Sequence, residues 1–256
     1  MSTDDTQQTT QRRRTICPSC ERPTTVCLCA LIPPSPLTTT NTEIIILQHP
    51  HEQRHPLATV PVLNKCVTNC QVLTGRRLRR GKSDLLDELY NDAVEQKPCK
   101  SVHAAFLFPG TDLNPSMEIN QWKSSFGDTD VNKFVLIAFD GTWKHAKEMV
   151  SASFPFVSKF ATQVCLTYDV NVDGGNIFSN QLTLRKEPFG GCMSTMEAVA
   201  RCLRFLEPNG VEIESRLVEV LRMMVKFQAS FTKPINPRPK LSKKGKDRDK
   251  NINSRK

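Results

Sequence analysis

Four cysteines near the start of the chain have the spacing of a metal site. Two residues separate Cys17 from Cys20 and one residue separates Cys27 from Cys29, so four thiols lie within thirteen residues. Paired cysteines on a tight turn aim both sulfurs at one ion, and four thiolates form the closed tetrahedral shell of a structural zinc. We therefore predict that these four cysteines bind a zinc ion that stabilises a segment too short to fold alone. A redox-active pair is the alternative, although no thioredoxin-like sequence surrounds the cysteines.

A second segment with chemical potential is Asp140-Gly141-Thr142-Trp143, which follows the most apolar run of the chain, Phe134 to Phe139. Ligands of parallel sheets bind at the carboxyl ends of the strands. Gly141 permits a sharp turn there, and the start of a following helix offers free backbone amides. The segment therefore predicts a ligand site around Asp140. The structural alternative is that Asp140 caps the helix and Trp143 packs in the core.

The segment Ser194-Thr195-Met196-Glu197 precedes an apolar helical pattern and follows the Gly-rich stretch 187–191. A loop rich in glycine lets a ligand approach the backbone closely. The same Ser-x-x-Glu spacing is typical of a helix capping box, which is the plainer interpretation.

Positive charge is unevenly distributed. The net charge of the chain is +9. Residues 233–256 contain ten of the 35 Lys and Arg residues and two of the 26 Asp and Glu residues, so this segment carries a charge of +8. The rest of the chain carries only +1. This Pro-punctuated tail is predicted to be disordered and to contact a polyanion such as RNA, or to act as a solubilising or nuclear-import signal. A second basic cluster, Arg76 to Lys82, is a candidate for nucleic-acid contact or a solvated loop.

Composition narrows the class of protein. The longest apolar run is far shorter than the roughly 20 residues of a membrane span, and the polar N-terminus with Asp4 and Asp5 lacks a secretory signal. We expect an intracellular protein, in the cytoplasm, the nucleus or both. In a reducing compartment the remaining cysteines are interpreted as buried thiols: Cys66, Cys70, Cys99, Cys165, Cys192 and Cys202.

The rest of the chain alternates between strand and helix patterns. Predicted strands cover 42–49, 71–75, 103–110, 133–141, 163–168 and 180–186, and predicted helices cover the stretch up to Val67, then 84–94, 142–150, 194–207 and 213–231. This alternation, with several fully apolar strands, predicts an α/β domain whose mostly parallel sheet has helices on both faces. The predicted organisation is a disordered leader (1–15), the zinc element (16–34), the catalytic domain (35–232) and the disordered basic tail (233–256).

Five segments together resemble the DTW-domain family of tRNA-uridine aminocarboxypropyltransferases. The resemblance spans about residues 16 to 207. It rests on the cysteine motif with Arg-Pro (17–29), Leu-Gln-His-Pro-x-Glu (47–52), Phe-Pro-Gly (108–110), the turn at 140–143, and Leu-Arg-Lys followed by Ser-Thr-x-Glu-Ala (184–198). The sequence departs from the family pattern at two places. The turn at 140–143 contains an additional glycine, Gly141. Asn180-Gln181 stands where the family pattern has Ser-Arg or Ser-Asn followed by an aromatic residue.

The resemblance implies a SPOUT-like domain, whose parallel strands form a trefoil-knotted pocket for S-adenosylmethionine. It implies transfer of the 3-amino-3-carboxypropyl group to N3 of a tRNA uridine, with release of methylthioadenosine. Asp140 is then the candidate catalytic base, which accepts the N3 proton. Alternatively, it only orients the uracil ring or the amino group of the cofactor. The candidate cofactor-binding residues are Phe108, Pro109, Gly110, Asp140, Gly141, Thr142, Trp143, Ser194, Thr195 and Glu197. The candidate tRNA contacts are His49, Arg54, Arg76, Arg77, Arg79, Arg80, Arg185 and Lys186, the last two being also candidates for holding the cofactor carboxylate.

Three other functions remain open from the sequence. A methyltransferase would use the same pocket and transfer a different carbon of the sulfonium. A non-catalytic RNA-binding protein would need only the zinc element and the basic tail. A protein-interaction adaptor would use the cysteine cluster but would not explain the turn at 140–143.

Overall fold

The computed structural model describes residues 15–53, 55–97, 101–111, 114–127, 132–167 and 193–231. A six-stranded sheet forms its centre, with all described strand pairs parallel. The strands are β1 (Thr42–Gln48), β2 (Cys70–Thr74), β3 (Val102–Leu107), β4 (Met117–Glu118), β5 (Lys133–Asp140) and β6 (Ala161–Cys165), in the spatial order β2-β1-β5-β3-β6-β4. The α/β class predicted from the alternating pattern is confirmed.

The two most apolar strands lie side by side in the middle of the sheet. β1 and β5 pair over their full common length, and the register ends with Gln48 opposite Asp140. Residues 44 to 47 of β1 and 134 to 139 of β5 are buried, because both faces of these strands are covered, as the unbroken apolar runs predict. The carboxyl end of the pair is therefore a rigid edge from which Asp140 emerges.

One face of the sheet carries most of the helices. These are α1 (Val60–Cys66), α3 (Ile119–Ser124), α5 (Thr195–Leu206) and α6 (Gly210–Ala229). Alternate strand residues such as Ile44, Ile46 and Leu136 pack against α5 and α6 residues such as Leu203 and Leu221 in one apolar core. This core places the start of α5 near the carboxyl edge of β5.

The opposite face is covered by two helices, α2 (Asp84–Val94) and α4 (Trp143–Val157). Ile45, Ile137 and Phe139 point to this side and pack in a second core with Leu86 of α2 and Met149 of α4. Because α4 begins three residues after β5 ends, the start of α4 is anchored at the same edge of the sheet as the start of α5.

The cysteine element sits on the first face. Leu28 has no exposed surface and joins the core of α5 and α6, while Arg22 donates hydrogen bonds to the carbonyl of Val26 (3.3 Å) and to Oε1 of Gln228 in α6 (3.5 Å). A short 3-10 helix, Thr24–Val26, links the two cysteine pairs. The element is therefore attached to the surface of the domain.

Most predicted elements lie within a few residues of the observed ones. The helix predicted over 142–150 runs on through Pro155 to Val157, and the strand predicted over 103–110 ends at Leu107. The short elements β4 and α3 were not predicted. The strand predicted over 180–186 and the Gly-rich stretch 187–191 lie outside the described residues. So do residues 1–14 of the predicted leader and the whole predicted tail, 233–256. The trefoil knot and the four-part domain division stay predictions.

Among the described helices, none is both long enough and apolar enough to cross a membrane.

Candidate functional site

The four predicted zinc cysteines converge. Sγ of Cys17 lies 3.4 Å from Sγ of Cys29, and Sγ of Cys20 lies 3.7 Å from Sγ of Cys27; all four sulfurs lie within 4.8 Å of one another. Four sulfurs bound to one zinc at 2.3 Å are about 3.8 Å apart, whereas a disulfide brings two sulfurs to about 2.05 Å. The four residues could therefore hold a metal ion, and their distances fit a tetrahedral thiolate centre better than a redox pair.

The local backbone favours the thiolate form of the first cysteine pair. Backbone N–H groups of Cys20 and Ser19 lower the pKa of Cys17 to about 6. Burial by itself raises the pKa of Cys20, but backbone N–H groups of Leu28 and Arg22 lower it overall. The other buried thiols differ: burial raises the pKa of Cys66 and of Cys70 to about 12. For Cys27 the backbone N–H of Cys29 lowers the pKa, but side-chain contacts with Cys29, Cys17 and Cys20 raise it overall to about 12. A thiolate is the form that binds a metal, so Cys17 and Cys20 are the members of the cluster that are predisposed to bind one.

Asp140 joins three elements at the carboxyl edge of the sheet. Its side chain is 7% exposed; Oδ2 accepts a hydrogen bond from Nε2 of Gln48 at 3.0 Å, and Oδ1 accepts one from Oγ1 of Thr195 at 2.6 Å. Its carbonyl accepts the backbone N–H of His49 at 2.8 Å. The carboxylate thus holds the end of β1 and the start of α5 at the end of β5, beside the predicted segment at 194–195.

The turn between β5 and α4 is built as the sequence suggests. Thr142, rather than Asp140, caps α4: its hydroxyl accepts the backbone N–H of His145 at 3.3 Å. A Cβ at Gly141 would come within 3.0 Å of the Cβ of His145 and 3.4 Å of that of His49, so glycine permits the close packing at this point. The structural alternative for Asp140 is thereby removed, because the capping position belongs to Thr142.

On the β3 side of Asp140 the site is aromatic. The rings of Phe108 and Trp143 stack with centroids 5.3 Å apart and planes 16° apart, and Nζ of Lys147 lies 5.5 Å from the Trp143 centroid. Gln163 of β6 donates to the carbonyls of Phe108 (3.2 Å) and Pro109 (3.0 Å). We call Phe108, Trp143, Lys147 and Gln163 the aromatic side. Gly110 follows directly, where a Cβ would collide with the backbone nitrogen of Ser116.

On the β1 side of Asp140 the site consists of histidines. The His49 and His145 rings stack with centroids 3.8 Å apart and planes 11° apart, and the His51 ring meets them edge-on at 4.8 and 5.4 Å. We call His49, His51 and His145, with the neighbouring Arg76, the histidine side. Sequence reasoning identified His49 but missed His51 and His145. The signal was available: His51 follows His49 by two residues, and His145 lies in the first turn after the same strand edge.

The predicted residues at the start of α5 divide into two kinds. Ser194 caps the helix by accepting the backbone N–H of Glu197 at 3.2 Å, and Thr195 contacts Asp140. Glu197 has no exposed surface and pairs with Arg201 at 3.2 Å. Thr195 therefore faces the site directly, whereas Glu197 lies within the fold behind it.

The basic cluster begins at the rim of the histidine side. Its cations are exposed around Leu78, which is buried and donates its backbone N–H to Oγ of Ser153 at 2.9 Å. Arg76 lies near enough to His49 to lower the pKa of that ring. Arg80 points elsewhere: it bonds Oδ1 of Asn91 at 2.8 Å and lies 5.4 Å from the Tyr90 centroid. Of the remaining predicted contacts, Arg54, Arg185 and Lys186 lie outside the described residues.

The chain matches the model of the DTW domain over residues 14–229, which is most of its length. The chain belongs to the DTW-domain family. The resemblance seen in the five sequence motifs is thereby confirmed.

Curated DTW relatives cover nearly the whole chain. It is 44% identical over 250 residues, 94% of its length and 91% of the relative's, to tRNA-uridine aminocarboxypropyltransferase A of Arabidopsis thaliana. It is 31% identical to tRNA-uridine aminocarboxypropyltransferase 2 of Macaca fascicularis over 85% of this chain and 64% of that protein. The Drosophila melanogaster protein of that name is 29% identical over 84% of this chain and 76% of its own length. No solved structure matches the chain significantly.

Proposed function

We propose that this chain is a tRNA-uridine aminocarboxypropyltransferase, which uses S-adenosylmethionine to place a 3-amino-3-carboxypropyl group on N3 of a uridine in tRNA. The observation that carries the proposal is the arrangement around Asp140 in a chain of the DTW family. A buried carboxylate at the end of the central strand bonds the start of α5, between an aromatic and a histidine side. The names of the Arabidopsis, macaque and Drosophila relatives support the same reaction.

The reaction needs a proton acceptor. The N3–H of uracil is a weakly acidic imide, and it must lose its proton as N3 bonds the γ-carbon of the donor's side chain and the carbon–sulfur bond breaks. The electron pair of that bond goes to sulfur, which leaves as neutral methylthioadenosine. Asp140 is the proposed acceptor, because its carboxylate is buried at the end of the central strand and is oriented by hydrogen bonds from Gln48 and Thr195.

The aromatic side is the proposed place of the donor's adenosine. A purine ring gains dispersion and stacking energy against parallel rings such as Phe108 and Trp143. Pro109, Gly110, Gly141 and Thr142 would follow the ribose and the chain, with Ser194 and Thr195 closing the site. Positioning matters because three carbons on the sulfonium compete as electrophiles, so the residues that orient the donor decide which group is transferred.

The cysteine centre is proposed to hold zinc with a structural role. Four thiolates leave no open coordination position for a substrate. No chemical step therefore involves the ion; when bound, it holds the N-terminal element against the domain.

The proposed polyanionic partner is tRNA. The exposed arginines 76, 77, 79 and 80 lie beyond the carboxyl end of β2, on the same edge of the sheet as Asp140. Lys and Arg side chains position a nucleic acid through its phosphates. The basic tail and the predicted contacts Arg54, Arg185 and Lys186 would extend this surface.

The deciding experiment is mass spectrometry of nucleosides from tRNA incubated with the purified full chain and S-adenosylmethionine. We expect a uridine that carries the aminocarboxypropyl group, together with an equal amount of methylthioadenosine. A methyluridine with S-adenosylhomocysteine would instead identify a methyltransferase. If the chain binds tRNA without modifying it, and Asp140→Ala binds equally well, the protein is a binding module.

The zinc proposal has its own test. Cys17→Ser is expected to release zinc and to lower the thermal stability of the N-terminal element, because binding free energy of such a site is folding free energy. Cys165→Ser is the matched control, since Cys165 lies in β6, outside the cluster. Metal analysis that finds equal zinc in both variants would refute the assignment.

A further inference from the structure

A cavity lies between the cysteine element, the segment that follows β1 and the end of α6. We call it the Arg22 cavity. Its volume is about 760 Å³, within the roughly 300–1,000 Å³ of sites that enclose a small ligand. Its walls include Arg22 and the 3-10 helix Thr24–Val26 on one side, Gln53 and Ala58 on the second, and Gln228 and Phe231 on the third. The proposed reaction assigns no role to this cavity.

The cavity contains a buried arginine with unused hydrogen-bond donors. Arg22 is 9% exposed. Its two hydrogen bonds are long, 3.3 Å to the carbonyl of Val26 and 3.5 Å to Oε1 of Gln228, and both acceptors belong to residues of the cavity wall. A guanidinium has five N–H groups, and among the described residues none accepts a further hydrogen bond from Arg22. Because a buried charge is costly unless it is paired, the cavity is suited to an anion.

The anionic side chains nearby leave these donors unused. Glu21 is exposed and pairs with Lys65 at 3.3 Å. Cys20 is close enough for its charge to interact with that of Arg22, so the alternative role of Arg22 is to offset the charge of the cysteine centre. Among the described contacts, however, no hydrogen bond joins the guanidinium to Sγ of Cys20. That role therefore does not occupy the remaining N–H groups.

An exposed aromatic ring stands at the rim of the cavity. Phe231 is 61% exposed, two residues after the end of α6, and among the described residues no ring stacks on it. An exposed aromatic face stacks with the face of any nucleic-acid base. The exposed side chains of Thr24 and Thr25 add hydroxyl groups to the rim. A cation for a phosphate and a ring for a base are thus present in one cavity.

Two basic segments of the chain reach the cavity. The segment 233–256, with its charge of +8, begins two residues after Phe231, a distance of at most about 7 Å along the chain. On another side, Gln53 donates a hydrogen bond to Oγ1 of Thr74 at 2.7 Å, two residues before the basic cluster. A polyanion bound by either segment therefore passes the cavity. The basic tail is a poor occupant itself, because its charge has the same sign as Arg22.

The Arg22 cavity is also close to the histidine side. Gln53 follows His49 by four residues, so their Cα atoms are at most about 14 Å apart. A nucleic acid that places one nucleotide at the histidine side can therefore place a nearby nucleotide in the cavity.

We propose that the Arg22 cavity binds an unpaired nucleotide of the tRNA, with its phosphate held by Arg22 and its base against Phe231. This inference rests on the proposed function, because tRNA is the proposed substrate. The nucleotide is unpaired for two reasons. Only a group that enters the cavity can reach a buried guanidinium, and the base faces of a duplex are stacked inside the helix and are not offered to a side chain.

Two variants test the two halves of the cavity by filter binding of unfractionated tRNA to the full chain. Arg22→Gln should weaken binding about tenfold and reduce the slope of log affinity against log salt by about 1, because a phosphate contact is lost. Phe231→Ala should also weaken binding about tenfold but leave the salt slope unchanged, because stacking releases no counterions. The matched controls are Arg216→Gln and Phe205→Ala, exposed residues of α6 and α5 outside the cavity, which should bind tRNA like the unchanged protein.

A double-stranded RNA with no unpaired nucleotide tests the kind of RNA that enters. The unchanged protein and Phe231→Ala should bind it with equal affinity. If Phe231→Ala weakens binding of the duplex as much as binding of tRNA, the proposal of an unpaired nucleotide is wrong.

Zinc content separates the proposal from a purely structural role of Arg22. We expect Arg22→Gln to keep as much zinc as the unchanged protein. If Arg22→Gln loses zinc while Phe231→Ala binds tRNA normally, Arg22 serves only the cysteine centre and the proposal is overturned. Because Phe231 is exposed, Phe231→Ala tests the cavity even if Arg22→Gln fails to fold. Polyglutamate that binds the unchanged protein but not Arg22→Gln, with tRNA binding unaffected in both variants, would instead identify the cavity as a site for an acidic protein segment.

The proposed function and the cavity proposal fail separately. If the unchanged protein yields no aminocarboxypropyl uridine but both variants bind tRNA less tightly as expected, the proposed function is wrong and the cavity assignment stands. If the unchanged protein yields that product and both variants bind tRNA as tightly as it does, only the cavity assignment is wrong.

Discussion

The aromatic and histidine sides flank the same carboxylate, yet they are suited to different tasks. Phe108 and Trp143 offer parallel ring faces, which stack with any flat heterocycle. On the histidine side the rings of His49 and His145 stack on each other and the His51 ring meets them edge-on, so polar ring nitrogens replace the hydrocarbon faces of the aromatic side. The first side comes from β3 and α4, the second from β1 and α4, so the strands on either side of β5 each contribute half of the site. Under the proposed function, this difference assigns the adenosine of the donor to the aromatic side and leaves the histidine side for the tRNA.

Removing the negative charge of Asp140, which lies between the aromatic and histidine sides, should have the largest effect on the rate of the reaction. Asp140→Asn keeps a side chain that can still bond Thr195 and Gln48 but cannot take the N3 proton. We expect it to lose about 10²–10⁴-fold in the rate of a single turnover at saturating donor and tRNA, as does Asp140→Ala. Near-normal activity of Asp140→Asn with an inactive Asp140→Ala would show that Asp140 only positions its neighbours.

Breaking the aromatic side should affect binding of the donor and little else. Trp143→Ala removes the ring that stacks on Phe108 and is expected to weaken S-adenosylmethionine binding about tenfold, measured by calorimetry. Trp143→Phe keeps a ring and should lose much less. The comparison breaks down if His49→Asn weakens donor binding as strongly as Trp143→Ala does.

Within the basic cluster, the arginine at the rim of the histidine side should contribute more to tRNA binding than Arg80 does, although the difference should be smaller than the effects above. Arg76→Gln, at the rim of the histidine side, is expected to weaken tRNA binding and to reduce the slope of log affinity against log salt by about 1. Arg80→Gln should have a smaller effect, because that guanidinium already bonds Asn91 and lies over Tyr90. Filter binding at pH 8 over a range of salt concentrations measures the tRNA affinity and its salt dependence for each variant. Equal slopes for the two variants would contradict the preference for Arg76.

The smallest expected effect is on stability in acid. In the unfolded chain His49 takes up a proton near pH 6.5, whereas the folded ring resists it because burial and then His145 lower its pKa. Protons therefore favour the unfolded state, and stability falls as the pH drops from about 6.5 towards the lowered pKa. His145→Gln should raise the pKa of His49 and make this fall smaller. Urea unfolding at pH 7.5 and 5.0 measures the free energy of unfolding of the unchanged protein and of His145→Gln. If both proteins lose the same free energy between the two pH values, the stacked pair is not the cause of the loss.

Patterns within one segment predicted much of this structure. The apolar runs of β1 and β5 predicted buried parallel strands, and the cysteine spacing predicted the convergence of four sulfurs, because these signals depend on neighbours in sequence. The position of Asp140 at the end of β5 followed from the same local pattern. The sequence did not decide which residue caps α4, because Thr142 and Asp140 are both capping residue types, and the structure assigns the cap to Thr142.

What the sequence did not reveal depends on pairings across the fold. The bond from Thr195 to Asp140 and the stack of His145 on His49 join residues that are brought together only by the strand order. Similarly, β4 has only two residues, so its pattern is too short to distinguish from a loop. Glu197 was predicted to bind the cofactor on its motif alone, and the structure places it fully buried beside Arg201.

The central place of β5 also affects how the protein is made. Gln48 and its partner Asp140 are 92 residues apart, and ribosomes add roughly 5–20 residues per second, so β1 waits several seconds for the neighbour that covers its edge. During that time an apolar strand with unpaired backbone groups is exposed to other nascent chains. Such long-range pairing is intrinsically slow, and we expect chains that stop before residue 140 to aggregate or to be held by chaperones.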